Sequence, residues 1–268
     1  FYFYLTGKKG KNVSLNYLTK LHQFSPDSHG EPGFWDGYRH FLAFAVNTMD
    51  RIWLWNKEGA GFKFEIDGHE EIKKYVDEKK GALFLGAHVG SFDALRVLSK
   101  NLDVKVNVVG YADNARKFET IQKRVNPDSH VTFFNLEDGS VHGVLKLQEM
   151  LENGEIVAMM GDRFVPGARQ RVSTVSFLGS DAPFPENPWI VAHLLGCPVF
   201  FVSGLRHTEK KYTCIARLID EKIVLERQNR SLEIRKYSEQ YARFLENICK
   251  EFPYQWFNFY DFWKLDKK

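Results

Sequence analysis

Apolar positions along this chain change period near residue 60. Before it, the run YRHFLAFAVNTMDRIWLW at 38–55 is too long and too apolar for a strand, and it predicts a largely buried or membrane-apposed helix. After it, short apolar runs at 82–87, 104–109, 131–136, 156–160 and 198–205 alternate with helical stretches near 91–100, 114–125, 143–152 and 188–195. Strand and helix repeated in this way predict an α/β fold whose mainly parallel mixed sheet is covered by helices. Runs at 212–219 and 222–226, joined by Asp220 and Glu221, predict an antiparallel hairpin at the sheet edge. Residues 231–251 set Leu232, Tyr237, Tyr241, Phe244, Leu245 and Ile248 at helical spacing among charges, the pattern of a long closing helix. The turn-rich stretch SPDSHGEPG at 25–33 parts an N-terminal piece from the rest. One domain accounts for all of this: a helical segment to residue 60, an α/β core over 61–230, then a closing helix and aromatic tail.

Composition narrows the function classes. Lys and Arg number 37 against 34 Asp and Glu, a net charge of +3 that is far below the basic load of a dedicated nucleic-acid binder. Three widely spaced cysteines with no C-x-x-C pair suit a reducing compartment and argue against structural zinc. The stretch 189–205, which carries no formal charge, is broken by Gly196 and Pro198 and is shorter than the ~20 apolar residues that span a bilayer. Aromatic residues make up 15% of the chain, and eight of the twelve residues in 252–263 are aromatic, followed by Lys264, Lys267 and Lys268. That tail predicts a membrane-edge anchor, with core docking as the competing expectation for Trp256 and Phe259.

Ligands of open α/β sheets gather at the carboxyl ends of strands, so chemistry is expected just after the apolar runs. ALFLGA is followed by His88-Val-Gly-Ser-Phe-Asp93, an H-x-x-x-x-D arrangement. The spacing alone is weak evidence, since a chain of this composition yields about one such match by chance and His22 to Asp27 is a second. Were both residues helical, five steps of about 100° would set their side chains roughly 140° apart. His88 is therefore expected in the turn before the helix. Asp93 in the first helical turn would then reach back to Nδ1, making His88 a general base; the plainer alternative is that Asp93 only answers the helix dipole.

Further blocks share an order with this one: LENGEIVAMMGDR, VSFLGSDAPFP, AHLLGCPVFFV and the terminal YQWFNFYDFW. Together they resemble the lipid A biosynthesis lauroyl/myristoyl acyltransferase family, within the lysophospholipid acyltransferase superfamily, from about Ser14 to Trp263. The chain departs from the usual H-x-G-N-W-E and D-Q of that family at Ser91-Phe92-Asp93 and Asp162-Arg163, and so resembles a side branch of predicted acyltransferases. The resemblance implies a glycerol-phosphate acyltransferase-like fold and a dyad on His88 and Asp93. It implies transfer of an acyl group from an acyl carrier protein or coenzyme A thioester to a lipid acceptor, with the thioester as co-substrate and no bound cofactor. It also implies a place at the cytoplasmic face of a bacterial inner membrane, either peripheral or through an N-terminal anchor absent from this chain.

Other residues follow from their positions. Backbone N–H groups near Gly90, or the Arg163 guanidinium, are candidates to receive the oxyanion. Asp162 and Arg163 close another apolar run and form a second candidate acceptor-binding pair; their plainer reading is an ion pair bracing the loop. On 114–125, Arg116 with Lys123 and Lys117 with Arg124 form two basic columns suited to an acidic carrier protein or lipid headgroups. His69 and His193 lack a second His at metal-ligand spacing and read as structural. There is no G-x-S-x-G, P-loop or G-x-G-x-x-G, so the hydrolase and nucleotide-binding readings lack their motifs. A thioesterase using the same pocket, and a non-catalytic membrane-apposed lipid-binding subunit, remain the rivals.

Overall fold

The computed structural model describes residues 2–56, 61–101, 103–110, 131–135, 141–163 and 171–264. Three N-terminal helices, α1 (Tyr2–Thr6), α2 (Lys8–Phe24) and α3 (Phe34–Asn56), precede the sheet. The remaining helices among the described residues are α4 (His69–Asp77), α5 (Phe92–Asn101), α6 (Val141–Glu152), α7 (Asn187–Leu195) and α8 (Arg230–Glu251). Seven strands form one sheet: β1 (Lys63–Asp67), β2 (Ala82–Gly86), β3 (Val106–Gly110), β4 (Val131–Asn135), β5 (Ile156–Met160), β8 (Val199–Thr208) and β9 (Lys211–Asp220). Their order is β1-β9-β8-β2-β5-β3-β4, parallel throughout except at the β8–β9 hairpin. The expected mixed α/β architecture with an N-terminal helical segment is the one present. The predicted helix over 114–125, with Arg116, Lys117, Lys123 and Arg124, lies outside the described residues.

Both faces of the central strands are covered, which is why they read as continuous apolar runs rather than alternating ones. Leu83, Leu85, Val157 and Phe201 face a large core shared with Trp189 of α7 and Tyr241 and Leu245 of α8. Ala82, Ile156, Phe200 and Val202 face a smaller one with Ile72 and Tyr75 of α4.

Two expectations are corrected, and one small sheet was not foreseen. The hairpin forms between β8 and β9, whose register runs from Val199 opposite Asp220 to Thr208 opposite Lys211, it lies inside the sheet because β1 pairs with β9 and takes the edge, and 222–226 makes no strand. A small second sheet, β6 (Val172–Phe177) against β7 (Ser180–Pro185), joins through Leu178 and Gly179, both at positive φ as a primed two-residue turn requires. The aromatic tail is not a membrane edge. Trp256 is 0% and Phe262 1% exposed, and Trp256 meets Tyr17, Phe177 and Phe262 edge-on at 4.9–5.2 Å. Burying a large apolar side chain is worth about 1.5–3 kcal/mol, and the core offers these rings that burial within the fold itself. The exposed apolar surface lies on α3 instead, where Trp35, Leu42, Met49, Ile52 and Trp53 are 45–62% exposed.

Candidate active site

Strand register brings the site together. β2 and β5 pair in parallel with Gly86 opposite Met160, so the second residue beyond each strand, His88 and Asp162, lies at matching height on the same side. The Asp162 carboxylate accepts twice from His88: from the ring Nδ1–H at 2.8 Å and from the backbone N–H at 2.8 Å. A third donor is the indole Nε1–H of Trp256 at 3.2 Å. Burial pushes the Asp162 carboxyl up, but the His88 imidazole, the His88 N–H and the Trp256 N–H together outweigh it and hold the group below its ordinary value. Asp162 is a fixed, buried carboxylate. It fixes Nδ1 as the protonated nitrogen, which leaves Nε2 with a lone pair. The His88 side chain is 28% exposed.

The contact expected between Asp93 and Nδ1 is therefore not the one the fold makes. The turn from His88 to Gly90 is held between the tail and β8 by bridges from Val89 to Trp256 and from Gly90 to Gly204, and this carries the imidazole toward Asp162. Asp93, in the first turn of α5 and 4% exposed, turns to α3, where it accepts from Arg51 Nε at 2.9 Å and Trp55 Nε1 at 2.5 Å. Among the described residues the hydrogen-bond partners of Asp162 are His88 and Trp256, not a loop arginine.

Gly90 is also corrected. Its N–H donates to the Gln255 carbonyl at 2.9 Å, and the Ser91 N–H to Gly204 at 2.6 Å, so neither is left for an oxyanion. What Gly90 supplies is conformation: φ is +66° and a Cβ would lie 2.1 Å from the Gly204 carbonyl oxygen. Arg163 is exposed, its guanidinium 4.9 Å from the Tyr260 ring centroid. His193 is structural, its Nδ1 shared between Ile223 and Leu225 backbone groups.

A cavity of about 520 Å³ opens between the sheet and helices α4 and α5. Its walls are chiefly Phe84, Val106, Val131, Ile156, Val202 and Ala216. The polar exceptions include His88, Asp93 and Arg51, which gather at the carboxyl end of β2 where the topology places a ligand. Sequence reasoning missed Arg51; the available signal was the charged pair Asp50-Arg51 in a largely apolar helix. Among the described residues no group of three or more His, Cys, Asp or Glu is arranged to hold a metal ion, and the three cysteines are buried and free.

A mainly parallel sheet carries a carboxylate-held histidine beside an apolar cavity, the groups that acid–base chemistry on a hydrophobic substrate would need. The family model of the bacterial lipid A biosynthesis acyltransferases matches residues 37–265, and the chain belongs to that family. It is thus an acyltransferase of the lipid A acyltransferase kind, a class that acts with an acyl donor and a lipid acceptor. No curated protein matches the chain.

Proposed function

We propose that this protein moves a fatty acyl group from an acyl carrier protein or coenzyme A thioester to a hydroxyl or amine of a lipid-like acceptor. The observation that carries the reading is the His88–Asp162 pair at the edge of the apolar cavity, which is suited to an acyl chain. The acceptor's oxygen or nitrogen attacks the thioester carbonyl while its proton passes to His88 Nε2, and Asp162 stabilises the imidazolium. Arg51, held by Asp93, presents its remaining N–H groups to the developing oxyanion, the role first expected of the N–H groups near Gly90 or of Arg163. As the tetrahedral intermediate collapses, the C–S bond breaks and the thiolate takes the proton from Nε2. Arg163 is suited to an anionic group of the acceptor.

The test is product analysis with a lauroyl thioester and a bacterial lipid extract. Acylated lipid, formed only when acceptor is present, is the expected result. Free fatty acid alone would make the protein a thioesterase, and no turnover across mixed acyl thioesters would favour the non-catalytic lipid-binding reading.

Membrane association accompanies this reading, at the cytoplasmic face where the thioester donors occur. No helix among the described residues is long and apolar enough to cross a membrane. The docking surface we assign is the exposed stripe of α3, on which Trp35, Leu42 and Met49 recur every seventh residue and so align within about 40°. Replacing Leu42 and Met49 together by Glu is expected to weaken co-sedimentation with anionic liposomes by at least about tenfold, from the apolar area withdrawn from the bilayer. Unchanged binding would move the interface elsewhere.

A further inference from the structure

We propose that Trp256 is a positioning residue for catalysis: its buried indole N–H sets the Asp162 carboxylate in the orientation that makes His88 Nε2 the base. This rests on the reading of His88 as base. Three observations carry it. The indole donates to Asp162 Oδ2, the same oxygen that accepts the His88 backbone N–H, while Oδ1 is left to the imidazole. The ring cannot turn away, being 0% exposed and held edge-on by Tyr17, Phe177 and Phe262 at 4.9–5.2 Å. The backbone of the tail is stitched to the catalytic turn itself, with the Phe257 N–H donating to the His88 carbonyl at 2.6 Å and the Gly90 N–H to the Gln255 carbonyl at 2.9 Å. The Trp256 carbonyl is fixed in turn by the Nε2–H of His40 on α3 at 2.8 Å. A tail that does not line the described cavity thus aligns the histidine from behind.

Removing the indole N–H leaves the carboxylate with one donor fewer and a higher affinity for the proton shared with the imidazole. Of the other ionisable groups close to Asp162, Tyr241, Tyr260 and Cys249 have pKa values pushed up and stay neutral near pH 7, while the neighbouring Arg163 keeps its charge throughout and is the same in every variant, so the direction is set by the N–H.

The experiment compares wild type with Trp256→Phe and with an isostere carrying benzothienylalanine at 256, which keeps the shape of indole and loses only the donor. Two readouts are taken. Turnover of a lauroyl thioester with lipid extract is expected to fall about tenfold to a hundredfold in kcat, with KM for the thioester within about twofold. Carbethoxylation of His88, followed against pH by peptide mass spectrometry, needs no substrate, and its midpoint is expected to move to higher pH. A midpoint that stays in place or moves down in the isostere overturns the proposal, as does wild-type kcat. So does a loss of folded protein with the midpoint unmoved, since Trp256 would then only fill the core. His88→Ala in the same turnover assay separates the two claims: full activity there would remove the base assignment, while the carbethoxylation midpoint would still report whether Trp256 governs the His88–Asp162 pair.

Discussion

Replacing His88 with alanine is expected to lower acyl transfer by about 10²–10⁴-fold while leaving the fold intact, since a positioned general base contributes on that scale. The two carboxylates nearby then separate by role. Asp162→Asn removes the negative charge that faces the imidazolium and is expected to lower kcat by at least about tenfold, because truncating a partner in a buried, hydrogen-bonded charge pair commonly costs several kcal/mol. Asp93→Asn leaves His88 and Asp162 untouched and loosens Arg51. Its loss is expected to be smaller and to be reproduced by Arg51→Ala, with no additional loss in the double variant, because the two side chains act as one unit. Steady-state kinetics of the five variants check this. If Asp93→Asn proved as damaging as His88→Ala while Asp162→Asn kept wild-type kcat, the roles of the carboxylates would be exchanged. The Asp162 pair also has a signed pH dependence: its carboxyl titrates below its ordinary value in the native state, so the stability it contributes is present above that value and is lost as pH falls through the depressed one.

The difference between the two carboxylates shows which parts of this protein are legible in one dimension. Apolar period and turn residues placed β2, β5, α5 and α8 within a few residues of where they lie, because each is local chemistry. His88 was visible for the same reason, as a polar residue at the mouth of a buried strand. Its partner was not. ALFLG-A-His88 and IVAMM-G-Asp162 have identical spacing from strand to polar residue, yet only the adjacency of β2 and β5 makes that identity a contact, and strand order leaves no local trace. The H-x-x-x-x-D motif drew attention to the acid nearest in sequence, whereas the fold chose the acid nearest across the sheet. Arg51 was hidden likewise, 42 residues from the aspartate that holds it. The tail misled in the opposite way. Density of aromatic rings marks affinity for an apolar environment but not which one, and here the pocket between α2, β6 and the turn after β2 was the nearer.

His40 links that tail to the N-terminal helices, and its burial gives the second large expected effect. The imidazole is 0% exposed. Its Nε2 lies 2.8 Å from the Trp256 carbonyl and its Nδ1 2.9 Å from the Ser14 hydroxyl. These partners suit the neutral ring: Nε2–H donates to the carbonyl and the hydroxyl donates to Nδ1. Tyr17, Phe257 and Phe259 surround it at centroid distances of 4.7–6.3 Å. Burial pulls its pKa down to about 4, the carbonyl hydrogen bond offsetting only part of the loss. In the unfolded chain the same group titrates near its ordinary value of about 6.5, so between those two values the unfolded state binds a proton that the native state refuses. Stability therefore falls as pH drops through this window, by about 3 kcal/mol in all, and the His40 contribution levels off below pH 4. His40→Gln keeps one amide donor for Trp256 and one oxygen for Ser14 but cannot titrate. Urea unfolding of both proteins at pH 7, 5.5 and 4 is expected to show the wild type losing about 3 kcal/mol more than the variant over that range. A gap between the two that does not change with pH would mean that His40 is protonated as readily in the fold as outside it, and that water or a carboxylate reaches a ring the packing encloses.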